Sequence, residues 1–258
     1  MRRLIALLPL IMAVVSLGGA VFAADLRMPV KAAAPSPSPA WNWSGFYVGV
    51  NVGYGIASDP LTETSSNVAF PVLLANSANL GVNGVIGGGQ IGYNWQTAPN
   101  WLVGFEADFQ GSGQRGSATF TNSAAVASTD TVQVDTDWFG TVRGRIGYIQ
   151  DNVNLWYVTG GLAYGRDELK LSQTNSIFPA LPTAGTFTKT NTGWTIGGGL
   201  ESHLFGNWTG KIEYLYIDLG TISGTSQSFV APGVVASGIT ASARIHDNIV
   251  RAGLNYKF

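Results

Sequence analysis

The segment NLWYVTGGLAYGR, residues 154–166, decides the fold of this chain. One parity carries Trp156, Val158, Leu162 and Tyr164, and the other carries Thr159, Gly161, Ala163 and Gly165. Because successive side chains of a β-strand point to opposite faces, this alternation predicts a strand with one apolar face and one small, polar face. The nine residues from Trp156 to Tyr164 match the length that a tilted strand needs to cross the hydrocarbon of a membrane.

The same alternation recurs in seven further stretches, which predicts eight strands. The first begins at Ser44, and the others cover about 85–96, 101–112, 137–149, 154–166, 193–204, 208–219 and 246–258. Eight is an even number, as closed antiparallel barrels of bacterial outer membranes require. The predicted fold class is therefore all-β, an eight-stranded antiparallel transmembrane β-barrel with an up-and-down meander.

The connections between these strands alternate in length. Short turns are predicted at 97–100, 150–153 and 205–207, and segments of over twenty residues at 57–84, 113–136, 167–192 and 220–245. Outer-membrane barrels have short periplasmic turns and long extracellular loops. A soluble β-sandwich would not sort its loops by parity, so the pattern favours a membrane barrel.

Aromatic residues fall into two bands on the apolar parity. Near the short turns, the band contains Phe46, Trp95, Trp101, Tyr148, Trp156, Trp208 and Tyr256. Near the long loops, it contains Tyr54, Phe109, Trp138, Tyr164, Trp194 and Tyr216. Aromatic side chains are enriched at both membrane–water interfaces, so the sequence predicts two aromatic girdles one bilayer apart.

The composition agrees with a surface that faces lipid. Of the 258 residues, 11% are charged and 45% are hydrophobic, with 34 Gly and a formal net charge of −1. About a quarter of the residues in an ordinary soluble domain are charged. The absence of Cys excludes disulfides, thiolate metal sites and cysteine nucleophiles, and the near-neutral charge offers no basic surface to nucleic acid.

The N-terminal residues predict export. Two Arg precede an apolar run at residues 4–17, and small residues follow up to Ala23. This is the pattern of a secretory signal peptide, predicted as residues 1–23 and cleaved after Ala23. An N-terminal membrane anchor is the alternative, but the run is shorter than the ~20 residues of a spanning helix.

Residues 24–43 form a Pro- and Ala-rich segment between the signal peptide and the first strand. Such a composition cannot build a packed core and predicts an extended, flexible periplasmic segment. A tether that spans the cell wall is the alternative. Residues 44–258 form the predicted outer-membrane barrel.

Six segments carry a family resemblance. They are W-x-G-F-Y-x-G (43–49), G-x-x-G-Y-N-W (89–95), W-F-G-T-V-R-G-R-I-G-Y (138–148), Y-V-T-G-G-L-A-Y-G (157–165), K-I-E-Y-L-Y-I-D-L-G (211–220) and V-R-A-G-L-N-Y-K-F (250–258). With them the chain resembles the small eight-stranded outer-membrane β-barrels of the RopB type, and it is also similar to the OmpA transmembrane barrel. The resemblance covers nearly all of 43–258 except the long loops.

The resemblance implies an outer-membrane location in a Gram-negative bacterium and a structural or porin-like role, with no catalytic residues. It also implies that the terminal Phe258 is the C-terminal aromatic residue by which the barrel-assembly machinery recognises such proteins. Outer-membrane lipid and lipopolysaccharide are the other expected partners. What the extracellular loops bind does not follow from it.

Charged residues are predicted on the inward face of the barrel. They are Glu106, Asp108, Arg143, Arg145, Glu201, Lys211, Glu213, Arg251 and Lys257. An eight-stranded barrel is wide enough only for side chains to fill its interior, and charges taken out of water must be paired. Strands three and four face strands seven and eight across such a barrel. We therefore expect an ion-pair network that plugs the lumen and leaves little steady open pore.

An enzymatic role is one alternative. Glu106 and Asp108 lie two residues apart on one strand face, like a carboxylate pair of a glycoside hydrolase. Arg143 and Arg145 are their expected neighbours, which favours a structural role instead. His203 lies near a short turn, with Ser202 on the opposite face, so no Ser–His couple is indicated. We expect no enzyme.

A ligand-binding surface receptor, for example for haem, is the other alternative. Haem iron requires a His, Tyr, Met or Cys ligand, and only His246 lies at the edge of a predicted loop. We expect no cofactor and no metal. The function indicated by the sequence is a structural outer-membrane barrel of porin-like character, which contributes to envelope integrity and presents its loops as a surface antigen.

Overall fold

A computed structural model of the chain describes residues 41–67, 70–123, 127–176, 179–232 and 234–258, with the side chains of 67–73 left out. The predicted signal peptide and residues 24–40 lie outside these described residues. None of the described residues forms a helix that is long and apolar enough to cross a membrane.

Eight antiparallel strands form a closed barrel in which each strand pairs with its neighbour in sequence, and the first pairs with the last. They are β1 (Gly45–Asn67), β2 (Phe70–Ala98), β3 (Trp101–Asn122), β4 (Ser128–Gln150), β5 (Asn154–Asn175), β6 (Thr183–Phe205), β7 (Trp208–Ala231) and β8 (Val234–Lys257). The predicted fold class, strand number and meander order are confirmed.

The strand ends differ from the prediction. The strands are 22 to 29 residues long, about twice the predicted length. Most of each long segment predicted as a loop is a continuation of two paired strands, and only 68–69, 123–127, 176–182 and 232–233 lie between strands on that side. The barrel wall therefore continues well beyond the membrane on the side of the long connections.

The apolar face of each strand changes sides where the strand leaves the membrane. On β1, Val50 and Val52 face outward and are exposed, whereas farther along the strand Ala57 and Leu61 face the lumen and are buried. Lipid surrounds the first part, so its outer face is apolar. Water surrounds the second part, so its apolar side chains turn inward, as in any soluble barrel.

Tight turns close the periplasmic end. Asp151 and Asn152, between β4 and β5, have φ of 54° and 57°, and Gly206, between β6 and β7, has φ of 53°. Left-handed backbone of this kind is tolerated by Asp and Asn and is free of strain for Gly. These residue types therefore explain two of the three short turns that the sequence indicated, those between β4 and β5 and between β6 and β7.

The lumen is filled in layers. A small apolar cluster near the periplasmic end contains Trp43, Leu102, Ile149, Leu155 and Tyr157. A larger apolar cluster on the extracellular side includes inward residues of β1, β2, β4, β5, β7 and β8, such as Phe139 and Leu215. One group of buried charged residues lies between these two clusters, and it comprises Glu106, Asp108, Arg143, Arg145, Glu201, Lys211, Glu213 and Arg251.

Candidate functional site

Eight of the nine side chains predicted for the lumen are buried inside the barrel and lie within one connected cluster, the lumen network. β3 supplies Glu106 and Asp108, β4 supplies Arg143 and Arg145, β6 supplies Glu201, β7 supplies Lys211 and Glu213, and β8 supplies Arg251. Spacing of two residues along a strand places each neighbouring pair on the same face. The strand alternation thus explains why these side chains meet.

Arg143 lies at the centre of the lumen network. Its Nη2 is 3.0 Å from Asp108 Oδ2 and also contacts Glu106 Oε1 on the neighbouring strand. Its Nη1 donates to Glu213 Oε1 on β7 at 3.0 Å. One guanidinium group therefore joins β3 and β4 to the opposite wall.

Two bases on β7 and β8 bind the acids of β3 from the opposite side of the lumen. Lys211 Nζ donates to both carboxylate oxygens of Glu106, at 2.9 and 3.0 Å. Arg251 donates from Nε to Glu213 Oε2 at 2.7 Å and from Nη2 to Asp108 Oδ2 at 3.0 Å. The expected attraction between strands three and four and strands seven and eight is thus present as hydrogen-bonded ion pairs.

Arg145 forms the periplasmic end of the network. Its Nη1 is 3.0 Å from Glu201 Oε2, and its Nε and Nη2 both donate to Asn94 Oδ1. The guanidinium carbon lies 4.8 Å from the ring centroid of Tyr47 and 5.4 Å from that of Tyr157. Two aromatic rings and two polar partners therefore surround this buried cation.

The lumen network is balanced in charge. It contains four acids and four bases, all buried. Charges removed from bulk water must be compensated by partners of opposite sign and by hydrogen bonds. Here every acid contacts at least one base. The arrangement offers no excess charge that would attract an ion of one sign into the lumen.

Neutral hydrogen-bond partners complete the network, and sequence reasoning missed them. Tyr47 donates to Glu106 at 2.7 Å and Tyr157 donates to Glu213 at 3.0 Å. Asn255 donates to Glu201 at 2.8 Å, and the Thr209 hydroxyl donates to the same oxygen. Their inward parity was a usable signal, because Tyr47 and Tyr157 lie on the small, polar face of otherwise regular strands.

Glycine provides the space for the two tyrosines. A Cβ at Gly92 would collide with the phenol group of Tyr47, and one at Gly199 would lie 2.8 Å from the Tyr157 hydroxyl oxygen. Glycine in a strand allows such a close approach of a neighbouring side chain. The glycine-rich walls of β2 and β6 thus make room for large partners of the network.

Lys257 was predicted in the lumen network but lies outside it. Its ammonium group contacts the backbone oxygen of Asn42 and lies 4.5 Å from the ring centroid of Trp41. Lys257 is the last residue of β8, at the periplasmic rim, where its long side chain reaches the segment that precedes β1. Lys257 is on the inward parity of β8, as predicted, but its position at the end of the strand separates it from the charges of the lumen network.

The end of the predicted flexible segment is folded against the barrel. Trp43 is buried in the periplasmic apolar cluster, and its backbone N–H donates to Gln96 Oε1 at 3.2 Å. Trp41 stacks on His203, with ring centroids 4.0 Å apart. Residues 41–43 therefore cover the periplasmic mouth of the lumen, where we expected part of a free tail.

The thirteen predicted girdle residues lie on the outer face, either exposed or half-buried. Many of them touch each other across neighbouring strands. Trp138 lies 5.4 Å from Phe109 and 6.2 Å from Tyr164, centroid to centroid, and Trp208 lies 5.2 Å from Tyr256. Such contacts extend each girdle around the barrel at the level where polar and apolar surroundings meet.

Phe258 completes the seam between the first and last strands. Its N–H donates to the carbonyl oxygen of Phe46 at 2.9 Å, and its ring lies 5.8 Å from that of Phe46 and 5.2 Å from that of Tyr256. The terminal aromatic residue thus belongs to the periplasmic girdle.

The residues considered for catalysis have other partners. Glu106 and Asp108 both bind Arg143. The Ser202 hydroxyl donates to Asn154 at 2.7 Å, and His203 contacts a backbone oxygen. Among the described residues, no group of three or more His, Cys, Asp and Glu side chains is arranged to hold a metal ion.

His246, considered as a haem ligand, lies on β8 rather than in a loop. Its Nδ1 is 2.9 Å from Asp59 Oδ1, and its ring lies 6.2 Å from that of Tyr216. Binding of iron through Nδ1 would require loss of the contact with Asp59. The geometry therefore offers no observation that favours a haem site at this residue.

Known outer-membrane proteins are similar to this chain in sequence. The 31 kDa outer-membrane immunogenic protein of Brucella melitensis is 35% identical over 229 residues, which cover 87% of this chain and 88% of the relative. The 25 kDa outer-membrane immunogenic protein of Brucella abortus is 26% identical over 260 residues and is covered in full.

Solved structures with a similar barrel include the outer membrane protein OprG of Pseudomonas aeruginosa, with a TM-score of 0.44 and 10% identity over 83% of this chain and 96% of OprG. Ail of Yersinia pestis has a TM-score of 0.34 and 12% identity over 83% of this chain and 99% of Ail. The family described as "Outer membrane protein beta-barrel domain" matches residues 20–258. The chain is an outer-membrane β-barrel protein, and it belongs to this outer membrane protein beta-barrel domain family.

Proposed function

We propose that this protein is a structural outer-membrane barrel with a closed lumen, which contributes to envelope integrity and presents its extracellular part at the cell surface. The observation that carries the proposal is the charge-balanced lumen network. An ion that crosses the barrel must separate several ion pairs. The side chains of these pairs have few other hydrogen-bond partners in the lumen. Any conduction is therefore small and depends on rearrangement of the network.

The apolar layers above and below the network support the same conclusion. Leu102, Ile149 and Leu155 lie on the periplasmic side and are fully buried, and Leu215 and Ile249 are fully buried on the other side. Apolar walls offer an ion no polar partners to replace its water, and a barrel of eight strands leaves room only for side chains. A steady water-filled pore would have to displace both layers.

Planar-bilayer recording of the monomeric mature protein tests this proposal. The wild-type protein should be closed most of the time and show rare, small openings. Arg143→Gln should open more often, because it removes the contact between β4 and β7. The matched control is Arg166→Gln, which removes an exposed guanidinium on the outer face and should leave the recordings unchanged. Large, persistent channels from wild-type monomers would overturn the proposal.

The extracellular part of the barrel is the surface that the cell exposes in this proposal. The relatives from Brucella carry the name of immunogenic outer-membrane proteins, which supports an exposed surface. Proteolysis of intact cells should cut at 123–127 and 176–182, the two longest connections between strands on the extracellular side. Cleavage at 151–153 in intact cells would show the opposite orientation.

Outer-membrane lipid, lipopolysaccharide and the barrel-assembly machinery are the partners of the proposed function. The two aromatic girdles fit contact with lipid headgroups at both interfaces. Phe258 fits recognition during assembly because its side chain is exposed at the end of the chain. Deletion of Phe258 should lower the yield of folded protein in the outer membrane more than Phe46→Leu does, although both remove an aromatic ring from the same contact.

A further inference from the structure

Polar side chains meet inside the barrel near its extracellular end. Glu63 on β1 lies opposite Asn76 on β2, and Asn76 Nδ2 donates to Glu63 Oε2 at 2.8 Å. Asn76 also contacts Asn122 Oδ1 at 3.5 Å, and Asn122 Nδ2 donates to Asp130 Oδ2 on β4 at 3.0 Å. Two amide groups therefore connect two carboxylates around half of the barrel.

The other half carries neutral groups near the same end of the lumen. Gln173 on β5 lies directly opposite Asp130 on one side and Thr183 of β6 on the other. The Thr183 hydroxyl lies 3.0 Å from Ser228 Oγ on β7 and 2.6 Å from Ser237 Oγ on β8. Each of the eight strands thus contributes at least one polar side chain to the extracellular end of the lumen. We call Glu63, Asn76, Asn122, Asp130, Gln173, Thr183, Ser228 and Ser237 the outer polar ring.

The outer polar ring contains buried acceptor oxygens that lack a donor. Asp130 is 0% exposed, Glu63 is 1% exposed and Gln173 is 3% exposed. Within the described part of the chain, Asp130 Oδ1, Glu63 Oε1 and Gln173 Oε1 accept no hydrogen bond. A buried polar atom without a partner is costly, so these three oxygens are available to a ligand. All three atoms are oxygens with lone pairs to offer.

The ring also carries uncompensated negative charge. Its members include two acids and no base, unlike the balanced lumen network below it. Burial, together with the nearby negative charge of Asp130, raises the pKa of the Glu63 carboxyl above its usual value. Immediately beneath the ring, Leu61, Val132 and Leu171 are buried in the lumen and keep water from that side. A ligand that fits this site is positively charged.

We propose that the outer polar ring binds one divalent cation of the calcium type. Two carboxylates match its charge, and carboxylate and amide oxygens are the ligands that hard cations prefer. Ca²⁺ accepts six to eight oxygens in flexible geometry, which suits side chains from several strands and bound water. Mg²⁺ demands a stricter octahedron and keeps most of its water, so it fits this ring less well.

The cation reaches the ring from the extracellular side. Asp130 lies two residues after the start of β4 at Ser128, and Thr183 is the first residue of β6. Both are next to the connections at the extracellular tips. The apolar layer beneath prevents further passage toward the periplasmic end. Bound Ca²⁺ would join β1, β4 and β5, which supply the three oxygens without a donor, and stabilise the extracellular part of the barrel.

Calcium titration of the full barrel tests the proposal. The protein is refolded in zwitterionic detergent, free of lipopolysaccharide, and CaCl2 binding is followed by calorimetry and by the thermal midpoint. The wild-type barrel should bind one Ca²⁺ with a Kd on the order of 0.1–1 mM, the range of extracellular calcium modules. The double variant Glu63→Gln, Asp130→Asn should bind at least tenfold more weakly and lose the calcium-dependent rise of the midpoint.

A matched control separates this site from general surface charge. The double variant Asp137→Asn, Glu168→Gln removes two acids from the outer face of β4 and β5 and should keep wild-type calcium binding. In EDTA, the ring variant should melt at or above the wild-type midpoint, since it removes unpaired buried charge, and this shows that it is folded. Calcium binding that is absent in the wild type, or unchanged in the ring variant, overturns the proposal. An equal rise of the midpoint with MgCl2 overturns the assignment to calcium.

Discussion

Arg143 on β4 donates to Glu213 on β7 at 3.0 Å, so that one hydrogen bond joins opposite walls of the barrel. Both side chains are about 1% exposed. In such surroundings the pair itself adds little net stability, because burial removes both charges from water. The loss of one partner lowers stability, since the other charge then stays buried without compensation.

Glu213→Gln should therefore be strongly destabilising. Glu213 accepts hydrogen bonds from Arg143, Arg251 and Tyr157, so the variant leaves two buried cations with fewer partners. The free energy of unfolding should fall by about 3–5 kcal/mol, the usual cost of breaking a buried ion pair from one side. Urea titration of the barrel in lipid vesicles, followed by tryptophan fluorescence, measures it.

The comparison for this variant is Asp137→Asn. Asp137 lies 3.5 Å from Arg166, and both side chains are nearly half exposed to water. Exposed pairs of this kind contribute about 0–1 kcal/mol. If Asp137→Asn and Glu213→Gln reduced the free energy of unfolding equally, the burial of the network would not explain its stability.

Parity alone was enough to predict eight members of the lumen network, because a regular strand places every second side chain inward. Parity could not show that Lys257 lies outside the lumen network. The contacts of a residue at a strand end depend on its neighbours in space, which parity does not specify. It also did not identify Asn94 or Asn255 as partners. Many inward positions are polar, and only the register between strands selects those that reach Arg145 or Glu201.

The girdles predict where charge is tolerated on the outer face. Val50 on β1 lies midway between Phe46 and Tyr54 and is 64% exposed on the surface that faces lipid. Val50→Arg should lower the free energy of unfolding in a bilayer by about 2–4 kcal/mol, as expected for a basic side chain at the midplane. Urea titration in vesicles of defined lipid measures the change.

Thr62→Arg on the same strand is the matched substitution outside the membrane. Thr62 faces outward and is exposed, eight residues beyond Tyr54. Since water surrounds this part of the barrel, the variant should change the free energy of unfolding by less than about 1 kcal/mol. A cost at Thr62 as large as at Val50 would mean that lipid also covers the extracellular part.

The change of the apolar face explains why the strand ends were predicted too early. An outward apolar pattern marks the strands up to the second girdle, and it stops there. Beyond it the alternation continues with the opposite parity, as in Leu169 and Leu171 of β5, which face inward between polar neighbours. When strands are recognised by an apolar outer face, this part of the sequence is assigned to a loop. The rich Ser and Thr content strengthened that error, although Thr is a good strand former.

Asp59 lies on β1 beyond the second girdle and is buried in the extracellular part of the lumen. Its Oδ1 accepts the backbone N–H of His246 at 3.0 Å. Its Oδ2 has no partner among the described residues and lies beside a cavity of about 20 Å³ that Gln114 and Asp247 also line. Burial raises the pKa of the Asp59 carboxyl to about 7, and the negative charge of Asp247 acts in the same direction.

The raised pKa predicts a loss of stability as the pH rises. In the unfolded chain the Asp59 pKa is near 3.8, so between about pH 4 and pH 7 the folded state holds a proton that the unfolded state has released. The free energy of unfolding should fall through this range by up to ~1.4 kcal/mol per pH unit because of this group, and the contribution of Asp59 should become constant above pH 7.

Asp59→Asn has no such proton, so its stability relative to wild type should rise from pH 4 to pH 7. Urea titrations of both proteins at several pH values measure this difference, with Asp137→Asn expected to follow the wild-type curve. Parallel curves for wild type and Asp59→Asn would show that Asp59 is ionised in the folded barrel.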